Sequence, residues 1–140
     1  VSNIAIQKNE AQYLLNLMNN IPNYINELGA WIVENFSNLE LTQGHIDSAF
    51  ESAVESKQGR YSSALYGYSR LAKKFIKAIA TLGPVKKYSG NEMQQASGLP
   101  ASELARMKNE LEDCPLLSLD TENRLFIIDP FLKKFLETTA

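Results

Sequence analysis

The chain has 140 residues, 44% of them hydrophobic and 21% charged, and a net charge of −2 at pH 7. This composition is typical of a globular protein and gives no overall basic excess for nucleic-acid binding. The single cysteine excludes an internal disulfide and fits a reducing compartment. No apolar run approaches the roughly 18 residues that span a bilayer, and the N-terminus lacks a signal-peptide layout. We therefore expect a cytoplasmic protein without membrane contact.

By length the chain forms one domain or two small ones. The best boundary is the polar stretch 57–60, which contains Gly59. We therefore expect one domain over residues 1–59 and another over residues 60–140. Because the first residue is Val1 rather than Met, we expect a processed protein or, as we favour, a piece of a longer polypeptide.

Three groups of apolar residues in the first domain recur at helical spacing and predict three short helices. The pair Asn19-Asn20 ends the first helix, Pro22 suits the first turn of the second, and Thr42 suits the N-cap of the third. The apolar positions are Ala11, Leu14, Leu15 and Met18; Ile21, Ile25, Leu28, Ile32 and Phe36; and Ile46, Ala49, Phe50, Ala53 and Val54. Because helices this short are not stable alone, we expect a small bundle.

Residues 61–82 have the most regular apolar pattern and predict one continuous helix that connects the bundle to the second domain and forms its first helix. The apolar positions are Tyr61, Leu65, Tyr68, Ala72, Phe75, Ile79 and Leu82. The basic residues of this segment lie largely off the stripe; they are Arg70, Lys73, Lys74 and Lys77. Such a basic helix face is usually solvated, but it is the best candidate in the chain for contact with a polyanion or an acidic partner.

Residues 81–130 predict the order helix, strand, helix, helix, strand, strand. Gly83-Pro84 ends the preceding helix, and Ser89 with Glu92 predicts a capping box for the next. Gly98 closes that helix, and Pro100 suits the first turn of the following one. The apolar positions of that helix are Leu104, Met107 and Leu111.

Two apolar runs, 116–119 and 125–128, flank a polar turn and predict a β-hairpin. Asp129-Pro130 then opens a last helix. This order of elements is that of a winged helix-turn-helix. We therefore expect a mainly α chain, in which a small helical bundle is followed by a winged helix-turn-helix with a short β-hairpin wing.

Five segments resemble motifs in the C-terminal part of prokaryotic Walker-type AAA+ ATPases of the archaeal-ATPase and STAND-like group. Residues 19–25 (NNIPNYI) resemble the Gly-Gly-x-Pro-x-Tyr-hydrophobic turn of the helical lid, with Asn in place of both glycines. Residues 41–49 (LTQGHIDSA) resemble the start of a later lid helix. Residues 75–84 (FIKAIATLGP), 98–102 (GLPAS) and 128–131 (IDPF) resemble the end of the first winged-helix helix, the turn before the third and the exit. The resemblance covers residues 10–136.

This resemblance implies a lid-like subdomain over residues 1–59 and a winged-helix domain over residues 60–140. The chain has no G-x-x-x-x-G-K-[ST] loop and no strand ending in acidic residues for magnesium, so we do not expect it to be an enzyme by itself. The resemblance assigns ATP and Mg to an upstream ATPase domain in the same polypeptide. It implies that this region couples the nucleotide state of that domain to a partner held by the winged helix.

A second hypothesis is a DNA-binding module, either a regulator or the arm of an initiator-like ATPase. In a DNA-binding winged helix, the predicted helix after Pro100 would enter the major groove and is called the reading helix here. Its outward positions would include Ser102, Glu103, Arg106, Asn109 and Glu110. Arg106 and Asn109 suit base edges of double-stranded DNA, and Lys86, Lys87 and Arg124 suit phosphates. Residues 84–140 nevertheless carry seven Lys and Arg against nine Asp and Glu, which opposes docking. The third hypothesis, which the acidic residues of the reading helix favour, is a protein-interaction adaptor.

The remaining reactive residue types favour structural roles. His45 is the single histidine and has no second ligand nearby in sequence, so we expect an exposed helix-start residue rather than a metal or catalytic site. For Cys114 we expect a half-buried thiol rather than a nucleophile. We expect Tyr61 and Tyr68 in the core and Tyr66 exposed, although tyrosines can also stack on bases.

Overall fold

The computed structural model describes residues 6–36 and 40–139. Over these residues the chain is mainly helical, with eight helices and one antiparallel sheet of two strands. The expectation of a mainly α chain with a short β-hairpin is therefore confirmed. The chain divides into two compact units, Val1–Gln58 and Gly59–Ala140, which are called unit 1 and unit 2 below.

Unit 1 contains the helices α1 (Lys8–Leu17), α2 (Pro22–Asn35) and α3 (Gln43–Ser56). Helix α3 packs against both α1 and α2. The buried apolar residues come from all three helices and their flanks: Leu14, Met18, Leu28, Ile32, Leu41, Ile46, Ala49, Phe50, Ala53 and Val54. Most of these are positions with helical spacing in the sequence, so burial of one apolar face per helix forms the bundle.

The turn between α1 and α2 has an unusual backbone. Asn19 and Asn20 have φ angles of 54° and 56°, in the left-handed region. Asn tolerates this region better than other non-glycine residues because its short polar side chain can hydrogen-bond locally. The turn closes through hydrogen bonds from the Asn20 N–H to the Leu15 carbonyl and from the Ile21 N–H to the Met18 carbonyl. Pro22 then occupies the first turn of α2, as its fixed φ favours.

Unit 2 contains five further helices and the hairpin. The helices are α4 (Gln58–Tyr66), α5 (Arg70–Leu82), α6 (Asn91–Ser97), α7 (Ala101–Glu110) and α8 (Pro130–Thr138), and the strands are β1 (Leu117–Leu119) and β2 (Leu125–Ile127). Helix α5 is the centre of the unit because it packs against α6, α7, β2 and α8. Phe75, Ile76 and Ile79 on its inner face are fully buried.

The hairpin is antiparallel and extended by one bridge. Leu117 pairs with Ile127, Ser118 with Phe126 and Leu119 with Leu125. Val85 forms an isolated antiparallel bridge to Leu125, with two N–H···O bonds of 2.8 Å. The strand expected after Pro84 is therefore reduced to this bridge. The chain turns away at once, since the Gly90 N–H bonds to the Lys87 carbonyl and α6 begins at Asn91.

The predicted continuous helix over residues 61–82 is wrong. The structure has two helices, α4 and α5, separated by residues 67–69. Ser69 has an extended backbone, with ψ of 163°, and its side chain accepts a hydrogen bond from the Ala72 N–H, so it is the N-cap of α5. Gly67 also favours the break, because Gly loses more conformational freedom in a helix than other residues. At the far end Leu82, predicted on the apolar stripe, is exposed.

Three further helix termini follow local sequence chemistry to different degrees. The predicted Ser89 capping box is wrong: the N-cap of α6 is Gly90, without a side-chain bond, and the Ser89 carbonyl instead accepts from Gln94 Nε2. Gly98 ends α6 in the left-handed conformation, with φ of 72°, as predicted. Asp129 is the N-cap of α8, because its Oδ1 accepts from the N–H groups of Phe131 and Leu132.

Candidate nucleic-acid interface

The overall charge of −2 conceals a strong segregation of charge along the chain. Residues 59–91 contain seven Lys and Arg and no Asp or Glu, whereas residues 92–140 contain five against nine. Residues 1–58 contain two against seven. Five of the seven cations of residues 59–91 precede residue 84, so the charge balance of residues 84–140 does not include them. The segment 59–91, which covers most of α4, all of α5 and the loop to α6, is therefore the basic part of unit 2.

Helix α5 concentrates four of these cations on one face. Arg70, Lys73, Lys74 and Lys77 fall at relative positions 0, 3, 4 and 7, which share a side of a helix. Arg70 and Lys73 are exposed, and Lys74 and Lys77 are half-buried. The Lys77 ammonium donates to the Thr139 carbonyl at the end of α8. Among residues 6–36 and 40–139, no carboxylate forms an ion pair with Arg70, Lys73 or Lys74.

The corner between α4 and α5 adds an aromatic residue to this basic face. Tyr66, the last residue of α4, is 85% exposed. The Lys73 ammonium lies 6.0 Å from the centroid of the Tyr66 ring, within the range of a cation–π contact. Tyr68 connects the corner to the segment after α7, since its hydroxyl lies 3.3 Å from the Sγ of Cys114. That hydrogen bond, together with burial, raises the pKa of Tyr68 to about 12.

The other tyrosine of the stripe, Tyr61, is buried as expected. Its hydroxyl donates to Asp129 Oδ2 at 2.7 Å, and its ring lies 5.6 Å from that of Phe135. Burial and then the hydrogen bond to Asp129 raise the pKa of Tyr61 above the ordinary tyrosine value. Tyr61 therefore joins α4 to α8, whereas the exposed Tyr66 has no comparable packing role.

Helix α7 is the predicted reading helix, and its outward residues lie on its accessible face. Ser102, Arg106, Asn109 and Glu110 are exposed, and Glu103 is half-buried. The Arg106 guanidinium forms an ion pair with the Glu103 carboxylate one turn away. Because this pairing offsets the charge of Arg106 locally, α7 presents a weaker positive field than α5 does.

The hairpin turn also neutralises its cation. The Asp120 carboxylate accepts from the backbone N–H of Arg124, from that of Glu122 and from Arg124 Nε, each at 2.8 or 2.9 Å. The backbone N–H of Arg124, with that of Glu122 and the guanidinium, holds the pKa of Asp120 below its usual value. Glu122 lies 3.3 Å from the same guanidinium. Arg124, predicted to contact phosphate or a partner, therefore organises the turn.

Lys86 and Lys87 are exposed, but they lie in the loop beyond the other end of α5. Thirteen residues of helix rise roughly 20 Å, so this lysine pair is well separated from Arg70. The loop borders a groove of about 460 Å³ that is also lined by Leu82, Val85 and Met93. The lysine pair and the Arg70 end of α5, which were separate candidates in the sequence, therefore do not form one surface.

A second groove, of about 390 Å³, lies between the end of α7 and the hairpin. Its apolar lining includes Phe75, Leu111, Leu117 and Leu125, and Leu119 at its edge is 53% exposed. Lys108 and Glu112 supply the charged lining.

His45 and Cys114 both take part in local packing and hydrogen bonding. His45 is half-buried rather than exposed, and it completes a capping box: its Nδ1 accepts from the Thr42 N–H, and its own N–H bonds to Thr42 Oγ1, each at 3.2 Å. Its ring packs against Phe36 at 5.0 Å. Cys114 is buried rather than half-buried. Over the described residues, no group of three His, Cys, Asp or Glu side chains could hold a metal ion.

None of the helices in the described part of the chain is long and apolar enough to cross a membrane. Comparisons of the chain with protein-family models, curated proteins and solved structures gave no match.

Proposed function

We propose that this chain is the non-catalytic C-terminal region of an AAA+ type ATPase, with unit 1 as a lid-like bundle and unit 2 as a winged helix. Its function is to couple the nucleotide state of an upstream ATPase domain to a partner of the winged helix. The observation that carries the proposal is the element order of unit 2. Helix α5, the Val85 bridge, α6, α7, β1 and β2 follow the winged-helix order, and Val85 adds a third strand position beside Leu125.

The turn between α1 and α2 supports the lid assignment. The lid motif has two glycines where this chain has Asn19 and Asn20, and both residues have left-handed backbone angles. Glycine adopts that region without a steric penalty, and Asn is among the residues that tolerate it best. The departure from the motif therefore preserves the backbone conformation that the glycines would permit.

The Asp129-Pro130 exit supports the winged-helix assignment. Asp129 caps α8 and also accepts the hydrogen bond from Tyr61 on α4. One carboxylate therefore fixes the start of the last helix against the first helix of unit 2. This gives the aspartate of the resembled motif a structural reason.

The assignment is tested by the gene and by the activity of the full polypeptide. We expect the reading frame to continue upstream into a G-x-x-x-x-G-K-[ST] loop, and the full polypeptide to hydrolyse ATP in the presence of Mg. A frame that begins at residue 1, or one without that loop, would overturn the proposal.

A pair of double variants tests the lid turn in the same full polypeptide. Asn19→Gly with Asn20→Gly restores the glycines of the motif and should keep the hydrolysis rate. Asn19→Val with Asn20→Val places β-branched residues at positive φ, costs roughly 1–2 kcal/mol per residue, and should change that rate. Equal rates in both double variants would contradict a coupling role for this turn.

Double-stranded DNA is the second candidate partner, favoured by the exposure of Arg106 and Asn109 on α7. Direct reading by α7 predicts duplex binding at low salt that weakens when Arg106 is replaced by Ala. If the isolated chain shows no duplex binding at low salt, a protein-interaction adaptor is favoured instead. The acidic side chains of and directly after α7 would repel a phosphate backbone; they are Glu103, Glu110, Glu112 and Asp113. The exposed Leu119 at the edge of the groove between α7 and the hairpin would suit a protein partner better.

A further inference from the structure

We propose that unit 2 binds single-stranded nucleic acid across the corner between α4 and α5. The corner surface consists of Tyr66, Arg70, Lys73 and Lys74. Tyr66 stacks on an unpaired base, and the three cations hold the adjoining phosphates. This goes beyond the proposed function and rests on the corner alone, so it does not depend on an upstream ATPase domain.

Charge is the first argument. The corner surface lies within the 33-residue segment 59–91, which has seven cations and no carboxylate. Within the described part of the chain, Arg70, Lys73 and Lys74 form no ion pair with a carboxylate, unlike Arg106 and Arg124. Cations without ion-pair partners are available to replace the counterions of a phosphate backbone, which is the main source of non-specific nucleic-acid affinity.

The exposed aromatic ring is the second argument. Tyr66 is 85% exposed, whereas Tyr61 and Tyr68 are buried or half-buried and bonded through their hydroxyls. Single-strand binding sites combine a basic surface that follows the backbone with aromatic rings on which bases stack. Lys73 lies over the Tyr66 ring at 6.0 Å, so the aromatic and basic parts of the surface adjoin.

The corner is also held in a defined conformation. The Ser69 side chain caps α5, and the Tyr68 hydroxyl contacts Cys114 at 3.3 Å. Both contacts come from the residues that directly follow Tyr66 and its neighbour Gly67, and they fix the start of α5. A preorganised surface loses less conformational entropy on binding than a mobile one.

The tyrosine distinguishes single strands from the other polyanions. Bases of a duplex are already stacked on each other, so they offer Tyr66 no free face without distortion. An acidic protein would be attracted by the cations but would gain little from the ring. The combination therefore favours an unpaired strand.

The test is a fluorescence-anisotropy titration of the full 140-residue chain with a labelled 20-nucleotide oligo-dT at low salt. We expect Tyr66→Ala to weaken binding roughly tenfold, while Tyr66→Phe, which keeps the ring, should change it less than about twofold. A labelled 20-base-pair duplex and a polyglutamate peptide are titrated in parallel, and both should bind more weakly than the oligo-dT.

A matched pair of double variants removes the same charge from two places. Arg70→Gln with Lys73→Gln should weaken oligo-dT binding at least tenfold and reduce the salt dependence by roughly 1.4 in log–log slope, for two lost phosphate contacts. Lys86→Gln with Lys87→Gln, at the other end of α5, should cause a clearly smaller loss. Circular dichroism melting of each variant controls for folding, which these exposed substitutions should leave intact.

Any one of several results would overturn the proposal. These are unchanged oligo-dT affinity in Tyr66→Ala, equal losses in the two charge pairs, tighter binding of the duplex, and equal or tighter binding of polyglutamate. The absence of any oligo-dT binding by the unmodified chain at low salt would also overturn it. None of these results bears on whether the upstream frame encodes a nucleotide-binding loop, so the two proposals fail separately.

Discussion

Helices α5 and α7 belong to the same unit, yet they differ in burial and in charge. Helix α5 has six buried residues among 13, and its outward face carries four cations and no anion. Helix α7 has two buried residues among ten, and its exposed Arg106 is paired with Glu103. The helix that the sequence predicts to be the reading helix is the less basic of the two. The place of a helix in the order of elements therefore does not determine how much unpaired positive charge it presents.

The largest expected effect concerns the cores of the two helices. Phe75→Ala in α5 should lower the free energy of unfolding by about 4 kcal/mol, and Leu104→Ala in α7 by about 3 kcal/mol. Both side chains are fully buried, but Phe75 is larger and its helix is enclosed by four other elements. Urea unfolding followed by circular dichroism measures both. A greater loss in Leu104→Ala would reverse the assignment of α5 as the centre of the unit.

The second effect concerns Asp129, which secures α8 against the α4 side of the unit. Asp129→Ala should cost about 2 kcal/mol, because it removes the N-cap of α8 and the acceptor of the Tyr61 hydroxyl. Tyr61→Phe removes only the latter bond and should cost about 1 kcal/mol. Thermal unfolding of both variants provides the measurement. If both cost the same, the cap contributes nothing.

The third effect compares two serines near the starts of α5 and α7. Ser69→Ala should cost about 1 kcal/mol, since the side chain caps α5. Ser102→Ala should change stability by less than about 0.5 kcal/mol, because Ser102 is exposed and α7 has no side-chain cap bond. Equilibrium unfolding in urea distinguishes them. An equal cost at Ser102 would show that α7 begins under a constraint that its geometry does not reveal.

The smallest effect is the pH response of the hairpin turn beyond α7. The pKa of Asp120 is lowered in the folded state, so its stabilising contribution is present above the ordinary Asp pKa of about 3.9 and is lost as the pH falls through the folded value. The amide resonances of Glu122 and Arg124 should therefore shift only below about pH 4. Asp120→Asn should abolish the shift. Titration of these amides above pH 5 would contradict the bonding pattern.

Local sequence chemistry predicted much of the fold. Thr42, Gly98 and Asp129 mark helix ends because each acts through its own neighbouring backbone groups, so no distant contact decides the outcome. The prediction at Ser89 is wrong because the N-cap is the next residue, Gly90, and Ser and Gly differ by only about a few tenths of a kcal/mol as N-caps. The short bridge at Val85 depends on Leu125, 40 residues away along the chain, and local propensity could not reveal its length.

The corner between α4 and α5 could not be predicted from periodicity. The apolar spacing continues in phase from Tyr61 to Ile79, so the pattern does not register the break at residues 67–69. The residues that make the break, Gly67 and the N-cap Ser69, lie off the apolar stripe. Tyr68 between them contacts Cys114, 46 residues away in sequence. In contrast, the grouping of Arg70, Lys73 and Lys74 on one face follows from helical spacing alone. The sequence therefore indicated the cations, but not the corner that brings Tyr66 beside them.

The contact between Tyr68 and Cys114 also gives the molecule an internal probe. Cys114 is the single cysteine of the chain, and its sulfur is buried beside the hydroxyl that holds the corner. Because Cys114 is only 9% exposed, its reaction with a thiol reagent should be slow unless the local structure opens, so the labelling rate reports that opening. A strand bound across Tyr66 and Arg70 should slow the labelling without touching the sulfur itself. The chain therefore carries its own reporter of whether the corner is open or held closed.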